Sequence, residues 1–226
     1  MVLSYESRFA FQIQESSPQF TYPSHFYQMY RSLHQRQTLV EIVALTEDLS
    51  SYRLVVAPAL HVLPKVAAEI LERFVPAGGL LLVTPRTGVK DEADSVVNRR
   101  LPGLLAELCG TEVGEYDSLP ADVSNQLAFT LPELASAPPA SARVWCDVVK
   151  PTAATVVARY TQDYYVGKPA ITRNQVGRGW VVYVGTMSDV PLYETLARWL
   201  LDSAAVQPVL DAPEGIEVAE RWQQGK

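Results

Sequence analysis

The sequence predicts an α/β three-layer sandwich built on a mostly parallel sheet, and three observations predict it. Two apolar runs, Tyr52-Arg-Leu-Val-Val-Ala-Pro-Ala-Leu60 and Gly78-Gly-Leu-Leu-Leu-Val-Thr-Pro-Arg-Thr-Gly88, flank an amphipathic helix opened by Pro64. Both runs are continuously apolar, as strands covered on both faces must be. The elements of the first ninety residues follow in βαββαβ order, which implies crossover connections. In the last third, β-branched runs meet across Gly177-Arg-Gly179, a hairpin signal.

The elements are expected in this order. Residues 1–7 read as a short apolar strand and 12–23 as a loop. A helix over 24–35 has Ser24 as N-cap and Phe26, Met29, Tyr30 and Leu33 as one apolar stripe. Strands follow at 40–45 and 53–60. The helix over 64–75 carries Val66, Ile70, Leu71 and Phe74 at core spacing, with Pro64 where its missing N–H does no harm. A fourth strand spans 79–85. The order of these pieces resembles a flavodoxin-like half of the class I glutamine amidotransferase type. A short helix ends at Gly110, residues 114–124 read as loop or edge, and the Ala/Pro/Ser-rich stretch within 132–141 reads as an exposed loop. Strands are expected at 143–149, 155–160, 170–176 and 180–185. A closing helix over 190–204 places Leu192, Leu196, Trp199 and Leu200 on one face. A last strand at 215–222 has no partner after it, so the chain is expected either to be cut from a longer one or to pair this strand elsewhere.

Composition narrows the function classes. The chain has 226 residues, 48% hydrophobic and 19% charged, enough to bury a sizeable core. A formal charge of −6 and a pI near 5.1 argue against nucleic-acid or anionic-membrane partners, which need clustered Lys and Arg. Arg99-Arg100 is the one adjacent basic pair. No stretch has the length of a membrane-spanning helix and the N-terminus has no signal-peptide pattern. Two isolated cysteines imply no disulfide framework, and a cytoplasmic location is expected.

Few residues are candidates for chemistry. Cys109 lies at the carboxyl end of its helix, where the dipole disfavours a thiolate, and Cys146 lies in an apolar strand; both read as small apolar fillers. The sharp turn after the fourth strand reads Thr84-Pro85-Arg86-Thr87-Gly88 and holds no thiol. No GxSxG, GxGxxG or Walker loop is present. His25 and His34 stand nine residues apart on opposite sides of one helix, so they share no metal. Asp91, Glu92 and Asp94 read as a solvated loop pairing with Arg86 or Lys90. Tyr160, Tyr164, Tyr165 and Trp180 read as core and hairpin packing, with sugar stacking or a subunit contact as the alternative. Ser7, His61 and Arg86 are the candidates for lining a ligand crevice at the strand ends. Neither a cofactor nor a metal is expected.

The strings at 52–60 and 77–84, together with Arg86-Thr-Gly-Val-Lys-Asp-Glu-Ala-Asp94, resemble the middle domain of glycoside hydrolase family 42 β-galactosidases. So do Tyr5-Glu6-Ser7, Leu119-Pro120, Trp145-Cys-Asp147, Gly167-Lys-Pro-Ala-Ile-Thr-Arg173 and Gly177-Arg-Gly-Trp-Val-Val-Tyr-Val-Gly185. The ordered match runs from about residue 2 to 205. The resemblance implies an amidotransferase-like module without amidotransferase activity that assembles a homotrimer. It also implies a preceding (β/α)₈ barrel that carries two catalytic glutamates, and a small β domain that follows. A barrel takes about 250 residues, more than this chain holds, so no residue here corresponds to those glutamates. The expected division is 1–206 for the trimerisation domain and 207–226 for a linker and the first strand of the next domain. The chain alone is expected to be inactive; its expected partners are copies of itself and the barrel. The alternative is a non-catalytic module that binds a small molecule or sugar.

Overall fold

The computed structural model describes residues 1–14, 17–210, 212, 213, 216 and 218. Strand β1 (Val2–Leu3) pairs in parallel with β2 (Val43–Ala44) as a small separate sheet. Helix α1 (Tyr5–Ile13) starts where a strand was expected to continue, because the Ser4 hydroxyl accepts from the Ser7 N–H and caps it. Helix α2 (Tyr22–His34) begins two residues before the expected helix. Its N-cap is Thr21, not Ser24, and Pro23 sits in the first turn, where no N–H is needed.

The main sheet has nine strands among the described residues. Strands β3 (Leu54–Ala57) and β4 (Leu80–Val83) are joined by α3 (Lys65–Phe74) and pair in parallel. After β4, a 3₁₀ turn (Gly103–Leu105) leads into α4 (Ala106–Cys109), which stops at Gly110 with φ +59. The remaining strands are β5 (Thr111–Ser118), β6 (Asn125–Phe129), β7 (Ala140–Pro151), β8 (Thr155–Tyr160), β9 (Pro169–Val176), β10 (Gly179–Val184) and β11 (Thr186–Ser188). Helix α5 (Val190–Ser203) closes the fold.

The spatial order is β11-β7-β6-β8-β9-β10-β4-β3, with β5 also on β7. Only β3, β4 and β10 run parallel; every other pairing in this sheet is antiparallel. The sheet is therefore mixed, and the expected mostly parallel sheet is corrected. The hairpin strands do not decorate a parallel sheet; they extend it. Short connections force this, since β9 reaches β10 across Gly177-Arg178, too short for a parallel crossover.

Helices cover both faces. Val56, Leu82 and Val182 face α2 and α5, packing with Met29, Leu33, Leu192, Leu196 and Leu200. Their neighbours Val55, Leu81, Val83, Val181 and Tyr183 face α3 and α4, packing with Leu71, Phe74, Leu105 and Leu108. Alternate residues on opposite faces explain why both β3 and β4 read as unbroken apolar runs. On α3 the buried set is Ala67, Ala68, Leu71 and Phe74; Val66, expected in the core, is half exposed. All four residues expected on the inner face of α5 are buried. The strand expected over 215–222 lies almost wholly outside the described residues.

Candidate functional site: a closed cluster at the strand ends

The carboxyl ends of β3 and β4 are where an α/β sheet places ligands. Here two loops leave those ends side by side. The Gly88 N–H donates to Leu60 O at 2.8 Å, Lys90 N–H to His61 O at 2.9 Å, and Leu63 N–H to Lys90 O at 2.9 Å. Thr84 Oγ1 accepts from the Ala59 N–H at 2.7 Å and lies 2.9 Å from His25 Nε2. Arg86 takes a left-handed φ of +66 in the turn after β4. An arginine in that conformation is strained, so the surrounding contacts must hold it.

Ser7, His61 and Arg86 do converge here, but two of them are shut away from solvent. Ser7 is fully buried. Its hydroxyl accepts from the Val62 N–H at 3.0 Å and from Ser4 Oγ at 2.9 Å, so it pins α1 to the loop after β3. His61 is 3% exposed; its ring meets Phe11 edge-on at 5.1 Å and hydrogen-bonds the Arg86 main chain. Burial, helped by the Arg86 and Lys90 charges, lowers the His61 pKa to about 4. His61 Nδ1 and Arg86 Nε have no hydrogen-bond partner.

Arg86 points into a polar and aromatic cluster that the sequence did not single out as a site. Its guanidinium carbon lies 5.0 Å from the centre of the Trp145 ring, a cation–π contact. Tyr116 stacks on Trp145 at 4.6 Å and 17°, and Phe20 meets the indole edge-on at 5.8 Å. The indole N–H donates to Asp147 Oδ1 at 2.8 Å, and the Tyr183 hydroxyl donates to Asp147 Oδ2 at 2.6 Å. Burial raises the Asp147 pKa to about 6 against the pull of those two donors and of Arg86. Burial also lowers the pKa of Arg86, opposed by Asp147. The signal for this cluster was present in Trp145-Cys-Asp147: residues two apart on a strand share a face, and a carboxylate on an otherwise apolar strand needs donors.

The cluster fills the place where a crevice was expected. Open clefts lie elsewhere. One of about 680 Å³ is at the amino ends of β3 and β4, between Leu49, Arg53, Arg73 and Gly79. Another, of about 470 Å³, is walled by Gln35, Arg36, Arg198 and Asp202 of α2, α5 and their ends. The acidic loop behaves as expected in one respect, since Lys90 pairs with Asp94 at 3.0 Å, while Arg86 turns inward. Among the described residues no three His, Cys, Asp or Glu side chains group as a metal site, and no helix is long and apolar enough to cross a membrane. Both cysteines are buried; desolvation raises the Cys109 thiol strongly and Cys146 to about 11, so neither is poised as a thiolate. Tyr160 and Tyr165 are buried, Tyr164 is exposed, and Trp180 packs on Arg173 at 4.4 Å.

The fold has relatives among known proteins. The family model described as the β-galactosidase trimerisation domain matches residues 1–207. Beta-galactosidase Bga of Halorubrum lacusprofundi is 34% identical over 98% of this chain and 32% of its own length. Beta-galactosidase BgaA of Planococcus sp. is 30% identical over all of this chain and 34% of its own. The crystal structure of the β-galactosidase from Bacillus circulans sp. alkalophilus superposes with a TM-score of 0.93 at 30% identity, over 99% of this chain and 33% of that one. The chain thus spans about a third of the length of the curated relatives it matches. On the match across residues 1–207, the chain belongs to the trimerisation-domain family of glycoside hydrolase family 42 β-galactosidases.

Proposed function

We propose that these residues join subunits into a homotrimer for a cytoplasmic β-galactosidase, and that bond cleavage takes place in a (β/α)₈ barrel elsewhere in the same polypeptide. The carrying observation is the family match over 1–207 in a chain one third as long as its β-galactosidase relatives. The closed strand ends support a non-catalytic role: an arginine occupies the turn after β4, and both thiols are buried. The parallel trio β3, β4 and β10 with helices on both faces supports kinship with flavodoxin-like, class I amidotransferase-like folds. Residues 1–206 are the domain, and 207–226 lead into a following β domain. The Val209 N–H donates to Gln37 O at 2.9 Å, which tethers the start of that link. The net charge of −6 is consistent with neither nucleic acid nor membrane being a partner.

We further propose that Ser7, His61 and Arg86 brace the loops of the strand ends rather than receive a ligand. Calorimetry with galactose and lactose tests this, since heat of binding that vanishes in His61→Ala would restore the crevice reading. For the function as a whole, nitrophenyl galactoside turnover is measured for the full gene product and for residues 1–226 alone. Turnover is expected only where the barrel is present. An active 1–226 fragment, or an inactive full product, refutes the proposal.

A further inference from the structure

Helix α1 is apolar on two opposite sides. Its inner side, Ser7, Ala10 and Phe11, is buried against the domain. On the outer side Tyr5, Phe9 and Ile13 are 58%, 59% and 80% exposed. These three stand at i, i+4 and i+8, so at 100° per residue they fall within about 80° of one another. The solvent side of a surface helix is ordinarily polar, and a helix apolar all round is a covered helix. Here the polar residues Glu6, Arg8 and Gln12 are confined to the margins of the stripe, and all three are exposed.

The stripe is held in place. Ser4 caps the helix, Ser7 Oγ fixes it to Val62, and Phe11 is wedged against Phe20, Tyr22 and His61 at 5.0, 6.2 and 5.1 Å. The three outer side chains present roughly 400 Å² to water, a patch of the size that marks interaction sites. That is about half of the ~800 Å² that each partner contributes to a standard interface. An aromatic and aliphatic centre with a charged rim is the anatomy of an interface core.

We propose that the outer face of α1 is a subunit contact, docking on a second copy of the protein. This rests on the trimer reading above, and the family to which residues 1–207 belong favours another copy as the occupant. A closed ring of three uses heterologous contacts, so the α1 face of each copy meets a different surface of the next. One substitution therefore weakens all three joints of the ring.

The test uses the full gene product, with molar mass from light scattering over a range of concentrations and folding from circular dichroism. Wild type and the control Val96→Asp/Val166→Asp, on exposed loops, are expected to be trimers. Phe9→Asp/Ile13→Asp is expected to fall to one third of that mass with an unchanged spectrum. Phe9→Ala/Ile13→Ala is expected to weaken association at least ~100-fold, in line with the loss of two apolar anchors. A trimeric Asp variant beside a trimeric wild type overturns the α1 contact and leaves the trimer standing. A monomeric wild type overturns both. Should the Asp variant fail to fold, a photoreactive benzophenone side chain at position 9 decides. Cross-links between two copies support the contact, and cross-links confined within one copy overturn it, since the face is then covered by the rest of the same polypeptide.

Discussion

Replacing Asp147 by Asn isolates the energetic role of the buried cluster. The carboxyl is 2% exposed and accepts from Trp145 Nε1 and the Tyr183 hydroxyl. Desolvation holds its pKa at about 6, against an ordinary 3.8. At ~1.4 kcal/mol per pH unit, that gap corresponds to roughly 3 kcal/mol. Its folded-state pKa is raised, so between pH 3.8 and about 6 the folded protein holds a proton that the unfolded chain has lost. The resulting contribution is fully present below 3.8 and is lost as pH rises through 6. Asparagine does not titrate. Its carbonyl still accepts from the indole, and its amide N–H can be met by the phenol oxygen. The assay is urea unfolding by tryptophan fluorescence from pH 4 to pH 7.5, with matched m values for the two proteins. Subtracting the two pH curves cancels the groups they share. Relative to wild type, the Asn variant should gain roughly 2 kcal/mol across that range, most of the full gap, because at pH 4 the unfolded carboxyl is already partly ionised. A flat difference curve, or one of opposite sign, refutes the assigned role of desolvation.

Other predictions concern acid stability, packing and thiol reactivity. Burial lowers His25 to about 3 and His61 to about 4, so the neutral rings stabilise the fold fully above pH 6.5 and lose that contribution as pH falls toward those values. His25→Gln should lose less stability than wild type between pH 7 and pH 4, and equal losses in urea midpoint contradict this. A Cβ on Gly179 would lie 2.1 Å from Val75 O and 2.3 Å from Gly79 O, so Gly179→Ala should cost more than about 3 kcal/mol and lower Tm by roughly 6–12 °C; a Tm within 2 °C of wild type, roughly the assay's error, excludes that crowding. At pH 8 a thiol reagent should leave Cys109 and Cys146 untouched in the native protein and modify both in urea. Native labelling within minutes contradicts their burial.

The sequence revealed most where local and tertiary signals agree. Strand β8 was expected at 155–160 and is found there, bounded by the Pro151-Thr-Ala-Ala154 turn before it and the loop with Tyr164 and Tyr165 after it. Helix α3 was legible because Pro64 opens it and Gly78-Gly79 follows it, and α5 because its apolar spacing is unbroken. Helix α1 was read as a strand because residues 1–3 are apolar and β-prone. The Ser4 cap and the i, i+4, i+8 spacing of Tyr5, Phe9 and Ile13 were the overlooked signals. Strand β5 read as loop or edge because Gly114 and three acids interrupt it; among the described strands it pairs with β7 alone, as an edge strand does, and its bulge lies between Val113 and Glu115. Strand β11 is short and gains its identity from β7, a contact distant in sequence, and β6 gains its own from lying between β7 and β8. The sheet's direction was set by short connections such as that from β9 to β10, which periodicity within single strands does not encode. For the candidate site, His61 and Arg86 were legible as residues of the loops after β3 and β4, but the closure of those loops was not. Whether Arg86 faces solvent or Trp145 depends on a strand sixty residues away.

If the domain holds three copies of the polypeptide together, as proposed, the mass of the assembled particle shows it. The most direct measurement is the particle mass of the full gene product by mass photometry at nanomolar concentration, where weak association is dissolved. One species at three times the chain mass is expected. A single species at the mass of one chain contradicts the proposal.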